Sequence, residues 1–257
     1  MLADSHAHLD SPLLKTFVKS LNLREDGPLI VSNSVDYESS IRNIGIARST
    51  NRVKAFVGIH PEIFARKPPQ LEKLDQENSV LASVQNFKDL IQKASGIGEI
   101  GLDPKYGSIE EQENLLRAIL TLVESTRLPV TFHNRNTVPN LLEILPSYKI
   151  GGNIMFHWFA GSDSQLKEIQ DRGIFASFGP SVIFSKRLIR LVEISDLNYI
   201  LPETDSPTEF NSLFRGPGSP DLIASVVFKL SLVRKLSFET MREVLEQNTL
   251  RYLGTQN

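Results

Sequence analysis

The sequence predicts a closed (β/α)8 TIM barrel, built from the whole chain, residues 1–257, as a single domain. Three observations predict it. Apolar, β-branched runs alternate with helical patterns from end to end, which implies a parallel sheet with helices on its faces. There are eight such runs, the number that closes this kind of barrel. The five histidines, His6, His8, His60, His133 and His157, all fall where a run gives way to a loop, as do Glu99 and Asp205. A parallel barrel gathers its active-site groups at that rim. A doubly wound open sheet has the same alternation, but the first strand–helix junction lacks a G-x-G-x-x-G phosphate loop.

In chain order the strand candidates are Leu2-Ala3, Leu29-Ile30-Val31, Val53 to Ile59, Ile97 to Leu102, Leu128 to Phe132, Ile150 to Phe156, Ile174 to Phe178, and Tyr199 to Leu201. The clearest helix runs from Ser108 to Thr126, where Leu116, Ile119, Leu120 and Val123 recur at helical spacing. Ser108 with Glu111 reads as a capping box at its start, and Ser162 with Gln165 as another before Leu166 and Ile169. Ser219-Pro220-Asp221 places a cap residue, a proline and an acid where a later helix begins. The irregular stretches Glu62 to Asn78 and Phe210 to Ser219 read as long loops, the first on the active-site side.

Composition narrows the chemistry. A net charge of −2 predicts no global attraction to nucleic acid or anionic membranes, so a polyanionic substrate needs bound metal and local cations. The absence of cysteine excludes disulfides, thiolate zinc sites and a cysteine nucleophile. No apolar run is long enough to span a bilayer, and Met1 to His6 does not resemble a signal peptide. A cytoplasmic protein with no membrane partner is expected.

His6-Ala7-His8 sets two imidazoles on one side of a strand, because side chains alternate with period two, so both reach one metal ion. Asp4, one period earlier, is expected to hold a ligating imidazole in its tautomer. Glu99 is an acid inside an apolar strand, where burial is costly unless the group is paired or metal-bound. Its two oxygens suit it to bridge two ions; a salt bridge to a barrel-lining cation is the alternative. His133 and His157, taken singly, read as core histidines, and Glu203 with Asp205 as turn carboxylates. Their shared position on one rim favours a common site.

The motifs carry a resemblance. Asp4-Ser5-His6-Ala7-His8-Leu9, Gly58-Ile59-His60-Pro61, Gly98-Glu99-Ile100-Gly101-Leu102-Asp103 and Glu203-Thr204-Asp205-Ser206-Pro207 resemble D-x-H-x-H-L, G-x-H-P, G-E-x-G-L-D and E-T-D-x-P of the TatD-type metal-dependent hydrolases. That family is a branch of the amidohydrolase-like barrels. Arg215-Gly216 and Asn248-Thr249-Leu250-Arg251 are similar to its R-G and N-x-x-R segments. The resemblance implies that His6, His8, Glu99 and Asp205 hold one divalent ion and that Glu99, His133 and His157 hold a second. Two ions roughly 3.5–4 Å apart clamp a phosphate and acidify a water. Asp205, helped by Glu203, is then the proton acceptor. His60 donates to a phosphate oxygen, and Arg135 and Arg215 are phosphate-clamp candidates.

The implied activity is deoxyribonuclease or phosphodiesterase action on DNA or another phosphodiester. The ions are zinc, magnesium or manganese, since imidazole and carboxylate ligands suit all three. Amide, lactone or phosphotriester hydrolysis on the same scaffold, and non-catalytic metal binding, are the alternatives. The chain departs from the family pattern at Glu62, at Asn134 and Asn136 after the fifth strand, and at Trp158 after the sixth. Trp158 and Phe159 offer rings for base stacking.

Overall fold

The computed structural model describes residues 1–21, 23–24, 26–65, 87–210 and 215–255. Eight parallel strands pair in sequence order: β1 (Ala3–Ala7), β2 (Leu29–Ser32), β3 (Val53–Val57), β4 (Gly96–Leu102), β5 (Val130–Asn134), β6 (Ile154–Phe156), β7 (Phe175–Phe178) and β8 (Ile200–Pro202). Beyond the last strand the chain turns back onto β1. There Asp205 N–H donates to the His6 carbonyl at 2.8 Å, and His8 N–H donates to the Ser206 carbonyl at 2.7 Å. Ser5 Oγ donates to the Pro202 carbonyl at 2.8 Å. The expected (β/α)8 barrel forms.

Around it lie α1 (Lys15–Leu21), α2 (Tyr37–Ser49), α3 (Ile109–Val123), α4 (Val138–Ile144), α5 (Asp163–Asp171), α6 (Lys186–Ile194), α7 (Ile223–Arg234) and α8 (Phe238–Tyr252). The caps follow local sequence. At α5 both halves of the capping box form, with Gln165 N–H on Ser162 Oγ and Ser162 N–H on Gln165 Oε1. At α3 only the serine half is present, Glu111 N–H reaching Ser108 Oγ at 3.5 Å. Ser219 caps a short turn with Pro220 at its start, which runs directly into α7. All four periodic residues of α3, from Leu116 to Val123, are buried against the barrel.

Strand alternation sorts the side chains. Val130 and Phe132 of β5, Ile154 and Phe156 of β6, and Ala176 and Phe178 of β7 face the helices. Met155, Phe175, Leu201, Phe56 and Val31 face inward and pack with Tyr252 from the last helix, which plugs the barrel floor. Tyr252 shares a 2.8 Å hydroxyl hydrogen bond with Thr131. One period above Thr131 and Met155 stand His133 and His157, so the residues that follow the floor layer point into the rim.

Every strand differs from expectation at one end or both by a residue or more, most at β1, which runs on to Ala7, and at β5 and β6. β5 extends two residues further, because β4 is seven residues long and pairs Gly101 with His133 and Leu102 with Asn134. His133 therefore lies within the strand, not beyond it, as do His6 in β1 and Glu99 midway along β4. β6 begins four residues later than predicted. Gly152 passes so close to the Leu128 carbonyl that a Cβ there would stand 1.9 Å from the oxygen, and pairing starts only after this contact. Of the predicted Glu62 to Asn78 loop, Pro61–Phe64 is a tight helical turn, and the stretch from residue 66 lies outside the described residues. In the second predicted loop Glu209 bridges Pro217, and residues 211–214 lie outside the described set. No helix is long and apolar enough to cross a membrane among the described residues.

Candidate metal centre

Six of the predicted ligand residues converge at the carboxyl ends of β1, β4, β5, β6 and β8. His6 Nε2 lies 3.2 Å from His8 Nε2. It lies 3.4 Å from both Glu99 Oε2 and Asp205 Oδ1. His8 Nε2 lies 3.2 Å from Asp205 Oδ1 and 3.7 Å from Glu99 Oε2. On the other side of the same carboxylate, Glu99 Oε1 stands 2.7 Å from His133 Nδ1 and 2.6 Å from His157 Nε2. Those two nitrogens are 3.2 Å apart. Oε2 of Glu99 thus faces His6 and His8, and Oε1 faces His133 and His157, with His60 Nε2 at 3.7 Å from Oε1 as well.

The donor atoms fit divalent metal. Ligands bound at about 2.1 Å to one tetrahedral or octahedral ion stand roughly 3.0–3.4 Å apart, close to the spacing of the His6, His8, Glu99 and Asp205 atoms. Tautomers point the same way. His8 Nδ1 is 3.1 Å from the Asn33 carbonyl, which can only accept, so the ring proton sits there and the Nε2 lone pair faces the cluster. His133 Nε2 is 2.9 Å from Asp103 Oδ2, which leaves the Nδ1 lone pair facing Glu99. Those nitrogens face carboxylate oxygens, so a positive charge, either a second ring proton or a metal ion, must lie between them. The carboxylate–histidine pairing at Asp103–His133 is the usual support of a metal-ligating imidazole.

The ionisation pattern shows a site that draws positive charge. Burial works to raise the Glu99 pKa, yet the imidazoles around it, His157 foremost, hold it well below the usual carboxylate range. Asp205 is likewise held low against its burial, by His8 and His6. His157 is pushed well above the ordinary imidazole value, against burial, by Glu99 and Glu203. His133 is raised in the same way by Asp103 and Glu99, and His8 to about 9 by Asp205 and Glu99. His6 moves down through burial and His157. The ion-pair partners of Glu99 and Asp205 among the described residues are all imidazoles, so the salt bridge to a lysine or arginine does not form.

His60 behaves differently. Its Nδ1 accepts the Glu62 N–H at 3.1 Å, and burial lowers its pKa to about 3. The ring is neutral with its proton on Nε2, which lies 3.7 Å from Glu99 Oε1. It therefore presents a donor, although its position beside Glu99 and His133 would also suit a ligand. Glu203 is fully buried, accepts from Ser177 Oγ at 2.7 Å, and lies 3.7 Å from His157 Nδ1.

A cavity of about 720 Å³ opens over the cluster and is lined by His8, His60, Glu99, His133, His157 and Asp205, with Arg135, Trp158, Tyr106 and Arg187 further out. Arg135 stands with its Nε 3.5 Å from Asp103 Oδ2. Arg215 is exposed and does not line this cavity. Asp4 does not hold an imidazole. Its carboxylate takes Thr204 N–H at 2.9 Å and Thr204 Oγ1 at 2.6 Å, tying β1 to the Asp205 turn, and burial raises its pKa to about 8. Phe159 is fully buried in the core and does not line the cavity, because the chain leaves the strand after Phe156 and turns at Trp158, φ 43°, so strand alternation no longer sets its direction. Asp103 and Arg187 are contributors not singled out from sequence. The clue to Arg187 was local: Lys186 and Arg187 open α6 with no acid in its first turn, against the helix dipole.

Glycine at position 58 is required by close approach. A Cβ there would stand 2.3 Å from the Glu99 nitrogen and 2.4 Å from the Gly98 carbonyl carbon. Gly58→Ala is expected to destabilise the fold by about 1–3 kcal/mol, roughly 2–10 °C in melting temperature. Thermal melts and metal titration check this; weaker metal binding should accompany the loss.

A (β/α)8 barrel with this histidine and carboxylate cluster at its carboxyl rim defines a metal-dependent hydrolase. The model of the TatD related DNase family matches residues 3–254, and the chain belongs to that family. An uncharacterized metal-dependent hydrolase of Methanocaldococcus jannaschii is 26% identical over 97% of this chain and 95% of its own length. A protein of Klebsiella pneumoniae named 3'-5' ssDNA/RNA exonuclease TatD is 30% identical over 51% of this chain and 55% of its own. Among solved structures, the TatD homologue YjjV of Escherichia coli K12 superposes with a TM-score of 0.84 at 22% identity, covering 99% of this chain and 98% of its own. An uncharacterized amidohydrolase of Saccharomyces cerevisiae gives 0.81 at 17%, covering 98% and 100%. The last two likenesses concern the fold.

Proposed function

We propose that the chain is a dinuclear phosphodiesterase acting on DNA, with His6, His8, Glu99 and Asp205 holding one divalent ion and Glu99, His133 and His157 the other. The observation that carries this reading is the division of Glu99, whose Oε2 faces His6 and His8 while its Oε1 faces His133 and His157. Divalent ions in such a site supply Lewis acidity at phosphoryl oxygens and lower the pKa of water. The residues do the rest. Asp205 is kept ionised by its imidazole neighbours, so it can accept the proton of the attacking water. Thr208 Oγ1 donates to Asp205 Oδ2 at 3.0 Å and fixes the carboxylate in that pose. Glu203 steadies His157 from behind. His60 Nε2–H donates to a phosphoryl oxygen. Arg135, anchored at Asp103 on one side, offers its remaining guanidinium donors to the phosphate. Arg215 acts only on a longer substrate, since it lies off the cavity. The exonuclease named in Klebsiella pneumoniae acts on single-stranded DNA and RNA, and a pocket around a near-neutral chain suits the same class of flexible end.

The test couples metal analysis to turnover of nitrophenyl phosphodiesters, nitrophenyl lactones and short oligonucleotides. Phosphodiester cleavage that stops on chelation and returns with zinc, magnesium or manganese supports the reading. Lactone cleavage without phosphodiester cleavage overturns it in favour of the amidohydrolase alternative. His133→Ala is expected to lose one ion per chain and most activity, roughly 10²-fold or more, as removal of one metal support does. Full activity with an unchanged metal count would break the assignment of His133.

A further inference from the structure

Trp158 is the only tryptophan in the chain. Three observations mark it. It follows His157 directly, so its Cα lies about 3.8 Å from that of a cluster residue, and its side chain lines the cavity. Its backbone sits at φ 43°, a left-handed conformation that a bulky residue rarely adopts and that persists only where the surroundings enforce it. The enforcement is visible. Trp158 N–H donates to Ser177 Oγ at 3.0 Å, and Ser177 in turn donates to Glu203. Arg187 Nη2 holds the following loop through the Ala160 and Gly161 carbonyls at 2.5 and 3.0 Å. Behind the indole lies the buried ring of Phe210, at 5.6 Å and 30°.

A core tryptophan would be fully enclosed. This one is half-buried, braced on one side by Phe210 and set on the cavity wall. A rigid flat apolar wall beside a phosphate-binding cluster matches one ligand chemistry in particular: a planar heterocycle attached through a sugar to that phosphate. Aromatic walls hold bases of any sequence, since every base has a π-face. We infer that Trp158 is the base-stacking platform of this site, holding the unpaired base of the nucleotide whose phosphate reaches the metal cluster. A base engaged in a duplex is already stacked, so the platform selects single-stranded ends. Arg187 is a positioning residue for the loop that carries the platform. The inference rests on the phosphodiesterase reading for its substrate, but its readout does not need turnover.

The single tryptophan makes the test direct. Metal-loaded protein is titrated with deoxyadenosine 5'-monophosphate, and with deoxyribose 5-phosphate as the base-free control, while indole emission is followed. Saturable quenching by the nucleotide and none by the sugar phosphate is expected. A second arm compares single-stranded oligonucleotides carrying a normal or an abasic terminal residue. Wild type should favour the normal end about ten-fold or more; Trp158→Ala should lose that preference, and Trp158→Phe should restore most of it. No saturable quenching, or an undiminished preference in Trp158→Ala, overturns the platform. If no phosphodiester is cleaved by wild type while quenching persists, the hydrolytic reading fails and the platform stands.

Discussion

Replacing Glu99 with alanine is expected to abolish metal binding and to reduce turnover to background, at least ~10³-fold, in a barrel that still folds. Among the described residues, the carboxylate is the one group in contact with all five imidazoles of the cluster, from His6 to His157. The neighbouring acids do not replace it: Asp205 pairs with His6 and His8 and stands near His157, and Glu203 lies behind His157. A folding readout separates loss of the site from loss of the protein. Metal that binds only the native state stabilises it by about 2.7 kcal/mol at a hundredfold excess over Kd. Wild type should therefore melt higher with metal than with chelator, and Glu99→Ala should show the same melting temperature in both. Calorimetry and metal content measure this. A variant that keeps the wild-type metal content would remove Glu99 from the centre of the cluster.

Asp205→Asn should behave in the opposite way. The amide keeps an oxygen facing His6 and His8 but has no basic lone pair strong enough to take a proton from water, so binding survives better than catalysis. A fall of about 10²–10⁴-fold in kcat is expected for loss of a positioned general base, with metal content close to wild type. The backbone argues for little structural disturbance. Asp205 sits at φ 50°, a left-handed conformation that asparagine adopts more readily than most residues. If the variant loses metal and activity together, Asp205 is a ligand first, and the proton acceptor must be sought elsewhere, with Glu203 the nearest carboxylate on the same turn. Measuring both quantities on one preparation decides between the roles.

Much of this protein was readable before its fold. Strand–helix alternation is a local property, and the eight strands form where β-branched runs stand. The caps at Ser162 and Ser219 form from residues within four positions of one another. His6 and His8 converge because side-chain alternation over a short span is also local. The errors occur where local rules stop. Asp4 was expected to steady an imidazole, but the closing of β8 onto β1 gave it Thr204, two hundred residues away, as a stronger partner. Trp158 and Phe159 looked alike in sequence, yet one lines the cavity and the other lies in the core, because β6 ends at Phe156 and the left-handed turn at Trp158 breaks the strand alternation.

From the linear chain alone came the fold class, the residue types of the cluster and the rim on which they meet, because periodicity, turn chemistry and motif spacing are set by neighbours along the backbone. Only the folded barrel determined which group touches which. Asp103 supports His133 from thirty residues away, the Asn33 carbonyl sets the tautomer of His8, Arg187 reaches the loop after β6, and Arg215 falls outside the cavity. Those choices depend on strand register and on the angle at which the sheet closes. Both result from packing the whole core at once, and no short window of sequence contains that information.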